Sequence, residues 1–156
     1  MKLRIILVLF SFLIFSQNKK DELIYDIIST VSQERLKSDI QKLVDFGTRH
    51  TLSDTISNTR GIGAARRWIK NSFDLISEDC NNCLDVFFQK NYFEKNNLRL
   101  IKNVWINNVV AIQKGLKYPN RFIIMSGDID SRVSDPNNYL SDSPGANDNA
   151  SGMAGT

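Results

Sequence analysis

Three carboxylates toward the C-terminal side are the residues best suited to chemistry. Asp128 and Asp130 stand two apart in Met125-Ser126-Gly127-Asp128-Ile129-Asp130-Ser131-Arg132. Asp148 lies in Pro144-Gly145-Ala146-Asn147-Asp148-Asn149-Ala150-Ser151-Gly152. Carboxylates are hard oxygen ligands for zinc, magnesium or calcium. The strand-end loops of open α/β sheets are where such sites form. A calcium loop of the EF-hand type is excluded, because the position where it needs its last acid holds Tyr139 and no helices flank the segment. The same residues also suit a turn in which Asp and Asn serve as caps and in Asx-turns. Spacing alone does not separate these two readings. Asn149-Ala150-Ser151 also matches a glycosylation sequon, a triplet that arises often by chance.

Two further features carry potential chemistry. His50, the only histidine, sits in Thr48-Arg49-His50-Thr51-Leu52-Ser53-Asp54. A lone histidine beside an arginine offers no ligand spacing, so it reads as a hydrogen-bonded loop residue. Cys80-Asn81-Asn82-Cys83 could be a redox pair, half a zinc site or a local disulfide. A zinc ribbon needs a second pair of cysteines, and a thioredoxin-like pair needs a helix directly after it. Leu84 to Phe88 reads as strand instead, so Cys80 and Cys83 are expected to form a structural disulfide.

The elements that must position these groups follow from periodicity. Leu23, Ile24, Ile27 and Ile28 recur at helical spacing. Ser32 can cap a second helix whose face is Leu36, Ile40, Leu43 and Val44, ended by Gly47. Asn58 or Thr59 can cap a third, with Ile62, Ala65, Ile69, Phe73 and Ile76 on one face and Arg66, Arg67 and Lys70 on another. Gly61-Ile62-Gly63 is not a dinucleotide loop, since Arg66 occupies the third glycine position and no strand precedes it. Trp68 is read as core. Leu84 to Phe93 reads as strand. Leu98 to Gln113 reads as one strand or two, with a possible bend at Asn107-Asn108. Val109-Val110-Ala111-Ile112 is apolar on both faces, as an interior strand would be. Arg121-Phe122-Ile123-Ile124-Met125 is the next expected strand and delivers Asp128. Asp148, Asn149 and Ser151 are good N-cap types for a final helix. Helices followed by interior-type strands point to an α/β fold.

Composition bounds the rest. With 156 residues, 42% of them hydrophobic and 24% charged, the chain suits one globular domain or part of a larger one. Residues 1–16 read as a secretory signal: Lys2 and Arg4 precede the apolar run from Ile5 to Phe15, which is short for a membrane span. The expected localisation is secreted or periplasmic, with residues 17–156 as the mature part. Removing Lys2 and Arg4 takes the formal charge from +3 to near +1. That is too small an excess to argue for nucleic acid, or for a membrane after signal cleavage. The oligomeric state is left open.

The two acidic segments resemble the zinc-dependent exopeptidases of the bacterial leucyl aminopeptidase group, metallopeptidase clan H, family 28. The family pattern is Gly-His-x-Asp-Ser, a dozen or more residues, then Gly-Ala-x-Asp-x-Ala-Ser-Gly. Gly145-Ala146-Asn147-Asp148-Asn149-Ala150-Ser151-Gly152 matches the second block in full. Phe46-Gly47-Thr48-Arg49-His50 and Thr59-Arg60-Gly61-Ile62-Gly63-Ala64-Ala65 are also similar to secreted members. The resemblance implies the N-terminal part of a phosphorylase/hydrolase-like three-layer αβα domain with a central mixed sheet, truncated. It implies two zinc ions and a peptide or protein substrate. Asp148 takes the bridging metal position. Asp130 takes the catalytic-centre position that orients a histidine ligand. Asp128 takes the place of that histidine as a metal ligand. The family's glutamate pair, a further acidic ligand and a final histidine cannot be placed here. The implied function is a secreted, metal-dependent, aminopeptidase-like exopeptidase, inactive as this fragment. The alternative is a non-catalytic relative acting as a binding module, with Asp128 in the histidine's place.

Overall fold

A computed structural model describes residues 22–96, 98 and 100–156. The signal segment expected over residues 1–16 lies outside the described residues. The chain divides into two units between Gln33 and Glu34. In the first, α1 spans Glu22–Ser29 and carries Leu23, Ile24, Ile27 and Ile28 at the expected helical spacing, all of them exposed. Among the described residues no helix is long and apolar enough to cross a membrane.

The second unit is built around one small core. Helix α2 spans Gln33–Asp45, and its apolar stripe places Leu43 inside with Ile40 packed against the same cluster. The helix ends as expected: Gly47, at φ +71°, donates its N–H to Val44 O at 3.0 Å. Helix α3 spans Gly61–Asp79 and buries Ile62, Ala64, Ala65 and Ile69. Leu43, Phe46, Ala64, Ala65, Ile69 and Ala150 form the core, with Trp68 against it and its ring centroid 6.3 Å from that of Phe46. Each large side chain so buried contributes about 1.5–3 kcal/mol.

The start of α3 differs from expectation. Arg60 occupies the capping position, extended and without a side-chain cap. The free N–H groups of the first turn are met from elsewhere. Gly61 donates to Phe46 O, Ile62 to Ser53 Oγ at 2.9 Å, and Gly63 to Asp54 O. A residue nine positions upstream thus does what Asn58 or Thr59 was expected to do. Ser57 instead accepts from the N–H groups of Thr59 and Arg60 and shapes the approach.

Past α3, a disulfide joins Cys80 to Cys83, with Cα atoms 5.5 Å apart. Ser77 Oγ both donates to Leu84 O and accepts from Leu84 N–H, tying the helix end to the next strand. Strands β1 (Leu84–Phe93) and β2 (Val104–Gln113) pair antiparallel from Leu84 opposite Gln113 to Phe93 opposite Val104. There is no bend at Asn107-Asn108. Both residues stay in register, opposite Lys90 and Gln89, and Asn108 Nδ2 donates to Gln89 Oε1 at 2.9 Å. Helix α3 packs on both strands.

The mixed α/β character is present, but among the described residues the sheet has two strands. Val109 to Ile112 is therefore half-buried rather than interior. Arg121–Met125 forms no strand: it joins no ladder, and Ile123 is 95% exposed. The physical reason is the absence of a partner. An apolar run becomes a strand only when a neighbouring strand takes its N–H and C=O groups, and among the described residues none does: Arg121 N–H makes only a local turn contact with Tyr118 O.

Candidate metal centre

Three loops converge where α2 ends: residues 46–53, 126–132 and 141–152. What holds them is a buried cation. Arg49 is 1% exposed. Its guanidinium makes four hydrogen bonds, all to main-chain carbonyls: Nε to Ile129 O at 2.9 Å, Nη1 to Leu43 O at 2.8 Å and Pro144 O at 2.7 Å, and Nη2 to Gly145 O at 3.0 Å. Its own N–H donates to Ser131 Oγ at 3.1 Å, and that hydroxyl donates to Ser143 O at 2.6 Å. Thr48 and Ser143 add a parallel bridge and an Oγ1···Oγ bond of 3.0 Å. Burial pulls the Arg49 guanidinium below the ordinary arginine range, and the Asp130 carboxylate acts against that. Carbonyls that would otherwise be orphaned in a water-poor junction thus converge on one planar donor.

Each carboxylate is mounted on this junction. Ile129, between Asp128 and Asp130, packs against the core and gives its carbonyl to Arg49. Gly127 lies against the main chain of Met153. Gly145 adopts φ +50°, and a Cβ there would fall 2.5 Å from Asp148 O, so only glycine allows this turn. The chain continues into an irregular turn over Ala146–Ala150, with Asp148 and Asn149 off helical geometry, and then the short α4, Ser151–Ala154. Ala150, fully buried, anchors that turn in the core.

The carboxylates themselves face solvent: Asp128, Asp130 and Asp148 are all exposed. Asp130 accepts a 3.4 Å hydrogen bond from Thr51 Oγ1. Their chemistry suits a divalent cation, but their arrangement does not enclose one. Among the described residues no group of three or more His, Cys, Asp or Glu side chains is placed to hold a metal. The structure brings the loops together and leaves the donor set open.

His50 is not available to complete it. Its Nε2 pairs with Pro136 O at 3.0 Å, and its Nδ1 accepts from Leu52 N–H at 3.0 Å. A carbonyl can only accept, so the proton resides on Nε2 and both ring nitrogens are engaged. His50 therefore ties the 48–52 loop to the 132–142 loop, as a hydrogen-bonded loop residue does. Arg49 is the residue that sequence reasoning missed. Its spacing carries no signal, because its partners are carbonyls far away in sequence.

No family model matches the chain, and no solved structure matches it. Curated proteins do. The chain is 45% identical over 134 residues to a protein of Pyrenophora teres f. teres named "Probable zinc metalloprotease", with 86% of the chain and 28% of that protein covered. It is 42% identical over 137 residues to one of the same name from Pyrenophora tritici-repentis, covering 86% and 31%. A third, from Leptosphaeria maculans, is 43% identical over 134 residues, covering 86% and 31%. The chain thus spans less than a third of the length of these relatives.

Proposed function

We propose that this chain is part of a secreted, zinc-dependent exopeptidase of the aminopeptidase type, to which it contributes an incomplete set of ligands. The observation that carries this reading is the Arg49 junction, which fixes the loops of Asp128, Asp130 and Asp148 together beside one core. The names of the relatives supply the metal, and the segment Gly145–Gly152 supplies the resemblance to exopeptidases. Peptides or proteins are the substrates. In this reading Asp148 offers the bridging carboxylate, Asp128 a further metal ligand, and Asp130 an acid that orients a neighbouring ligand. Zinc, once held by a full donor set, would activate water. The described residues do not supply that set, so no hydrolytic step is derived through it.

One observation favours a second reading, in which the protein binds peptides without cleaving them: an aspartate, Asp128, stands where the resemblance calls for histidine. The experiment is a calorimetric zinc titration of the polypeptide extended to the length of its relatives, alongside Asp148→Ala and Asp128→His. Stoichiometric binding that Asp148→Ala weakens at least about tenfold supports the metal site. Binding and peptide hydrolysis that appear only with Asp128→His select the non-catalytic reading. No stoichiometric binding in either the wild type or Asp128→His sinks both.

A further inference from the structure

A cleft of about 890 Å³ opens between the first turns of α3, the Thr51–Thr55 loop and the hairpin. Its wall carries four cations, Arg66, Arg67, Lys90 and Lys102, and no carboxylate. Two of the four are occupied. Arg67 donates to the carbonyls of Thr55, Ile56 and Ser57. The Lys102 ammonium stands 4.2 Å from the centroid of the Tyr139 ring. Lys90 is exposed, where water solvates it.

Arg66 is different. It is only 7% exposed, yet among the described residues its guanidinium has neither a hydrogen bond nor an ion pair. Its charged neighbour is another cation, and burial together with Arg67 holds Arg66 below the ordinary arginine range. No guanidinium nitrogen is fully enclosed, so water in the cleft reaches the charge while the rest of the side chain is packed. A fully buried polar atom without a partner lies on the same wall. Asn107 Oδ1, from β2, is buried and has no hydrogen-bond partner. An amide can turn over and offer donor or acceptor at that position. Two separate elements thus present polar groups without a protein partner to one space, beside the apolar surfaces of Phe88 and Trp105.

We propose that this cleft is an oxyanion-binding site. Arg66 pairs with a carboxylate or phosphate through its planar fork, Asn107 makes the second polar contact, and Phe88 and Trp105 seat the apolar body that carries the anion. The site is distinct from the three aspartates but adjoins them. Thr51, which lines the cleft, is the residue hydrogen-bonded to Asp130. A peptide anchored by a carboxylate in the cleft would run toward those acids.

The test is calorimetric titration of the full chain in the presence of a chelator, so that its outcome is independent of any zinc. The probes are N-acetyl-phenylalanine, its neutral amide, and inorganic phosphate. The site predicts saturable binding of N-acetyl-phenylalanine, weakened at least about tenfold by the amide or by Arg66→Met. Asn107→Leu weakens it severalfold, and that variant serves if Arg66→Met fails to fold. Phosphate binding more tightly than N-acetyl-phenylalanine would identify an inorganic occupant of the same oxyanion site. Failure of both anions to bind saturably, or affinities unchanged in Arg66→Met and Asn107→Leu, overturns the proposal.

Discussion

Arg49 and Arg66 are two mostly buried arginines, at 1% and 7% exposure, and they do opposite things with their charge. Arg49 spends its guanidinium on four carbonyls and has Asp130 as an opposing charge. Among the described residues Arg66 has no protein acceptor, and its charged neighbour is Arg67. Burial by itself therefore does not assign a role to a charged side chain. A buried cation whose donors are all met is part of the scaffold, and removing it leaves carbonyls unsatisfied. One whose stem is packed while its donors meet only water is free to pair with a ligand.

The difference is broken most directly by the same substitution at both positions. Arg49→Met orphans the carbonyls of Leu43, Ile129, Pro144 and Gly145 and should destabilise the second unit by about 3–5 kcal/mol, the range for breaking buried charged networks. The measurement is a urea midpoint with the slope m held unchanged. Arg66→Met removes a charge that water reaches and that has no protein partner among the described residues, so its midpoint should stay close to the wild type's. Equal losses at the two positions would erase the distinction and make Arg66 a scaffold residue as well.

A smaller effect sharpens the Arg49 side. Ser131 Oγ links the Arg49 main chain to Ser143 O within the same junction. Ser131→Ala leaves a buried N–H and a buried carbonyl without that partner and should cost about 1–3 kcal/mol. If Arg49 and Ser131 act as one unit, the double variant loses less than the two single losses added together. Full additivity would show two independent fastenings rather than one junction.

How much of this was legible in the sequence depends on how local the cause is. Strand β1 runs over Leu84–Phe93, as its alternation predicts, because each side chain's face is set by its neighbours. The α3 face with Ala65 and Ile69 was equally readable. Arg66 falls with Arg67 and Lys70 on a second helix face and is mostly buried, since whether a helix flank meets water depends on the hairpin packed across it. Arg121–Met125 has the composition of a strand but lacks the partner that composition cannot supply. The aspartates were visible as metal-type donors, yet the residue that fixes their loops was not. Arg49 binds carbonyls as far away as Gly145, and a carbonyl leaves no mark in a sequence.

The smallest expected effect concerns the loop from which both regions extend. Asp54 lies between the Arg49 junction and the Arg66 cleft, and its Oδ1 accepts from Ile56 N–H at 2.6 Å and Ser57 N–H at 3.0 Å. Those bonds, Ser57 first and Ile56 next, hold the Asp54 carboxyl below the usual carboxylate range, with Arg67 adding in the same direction. A carboxyl whose folded value is depressed stabilises the fold above its unfolded value, about 3.9, and loses that contribution as pH falls through the folded value. The turn should therefore be intact at neutral pH and open in acid. Protection of the Ile56 and Ser57 amides, followed by NMR below pH 4 relative to the intrinsic exchange rate at each pH, should fall as the pH falls. In Asp54→Asn the acid step should vanish, because an amide oxygen still accepts those bonds but does not titrate. Arg67, which holds the carbonyls of the same turn, links the outcome to the cleft. An acid step that persists in Asp54→Asn would show that another group controls the loop.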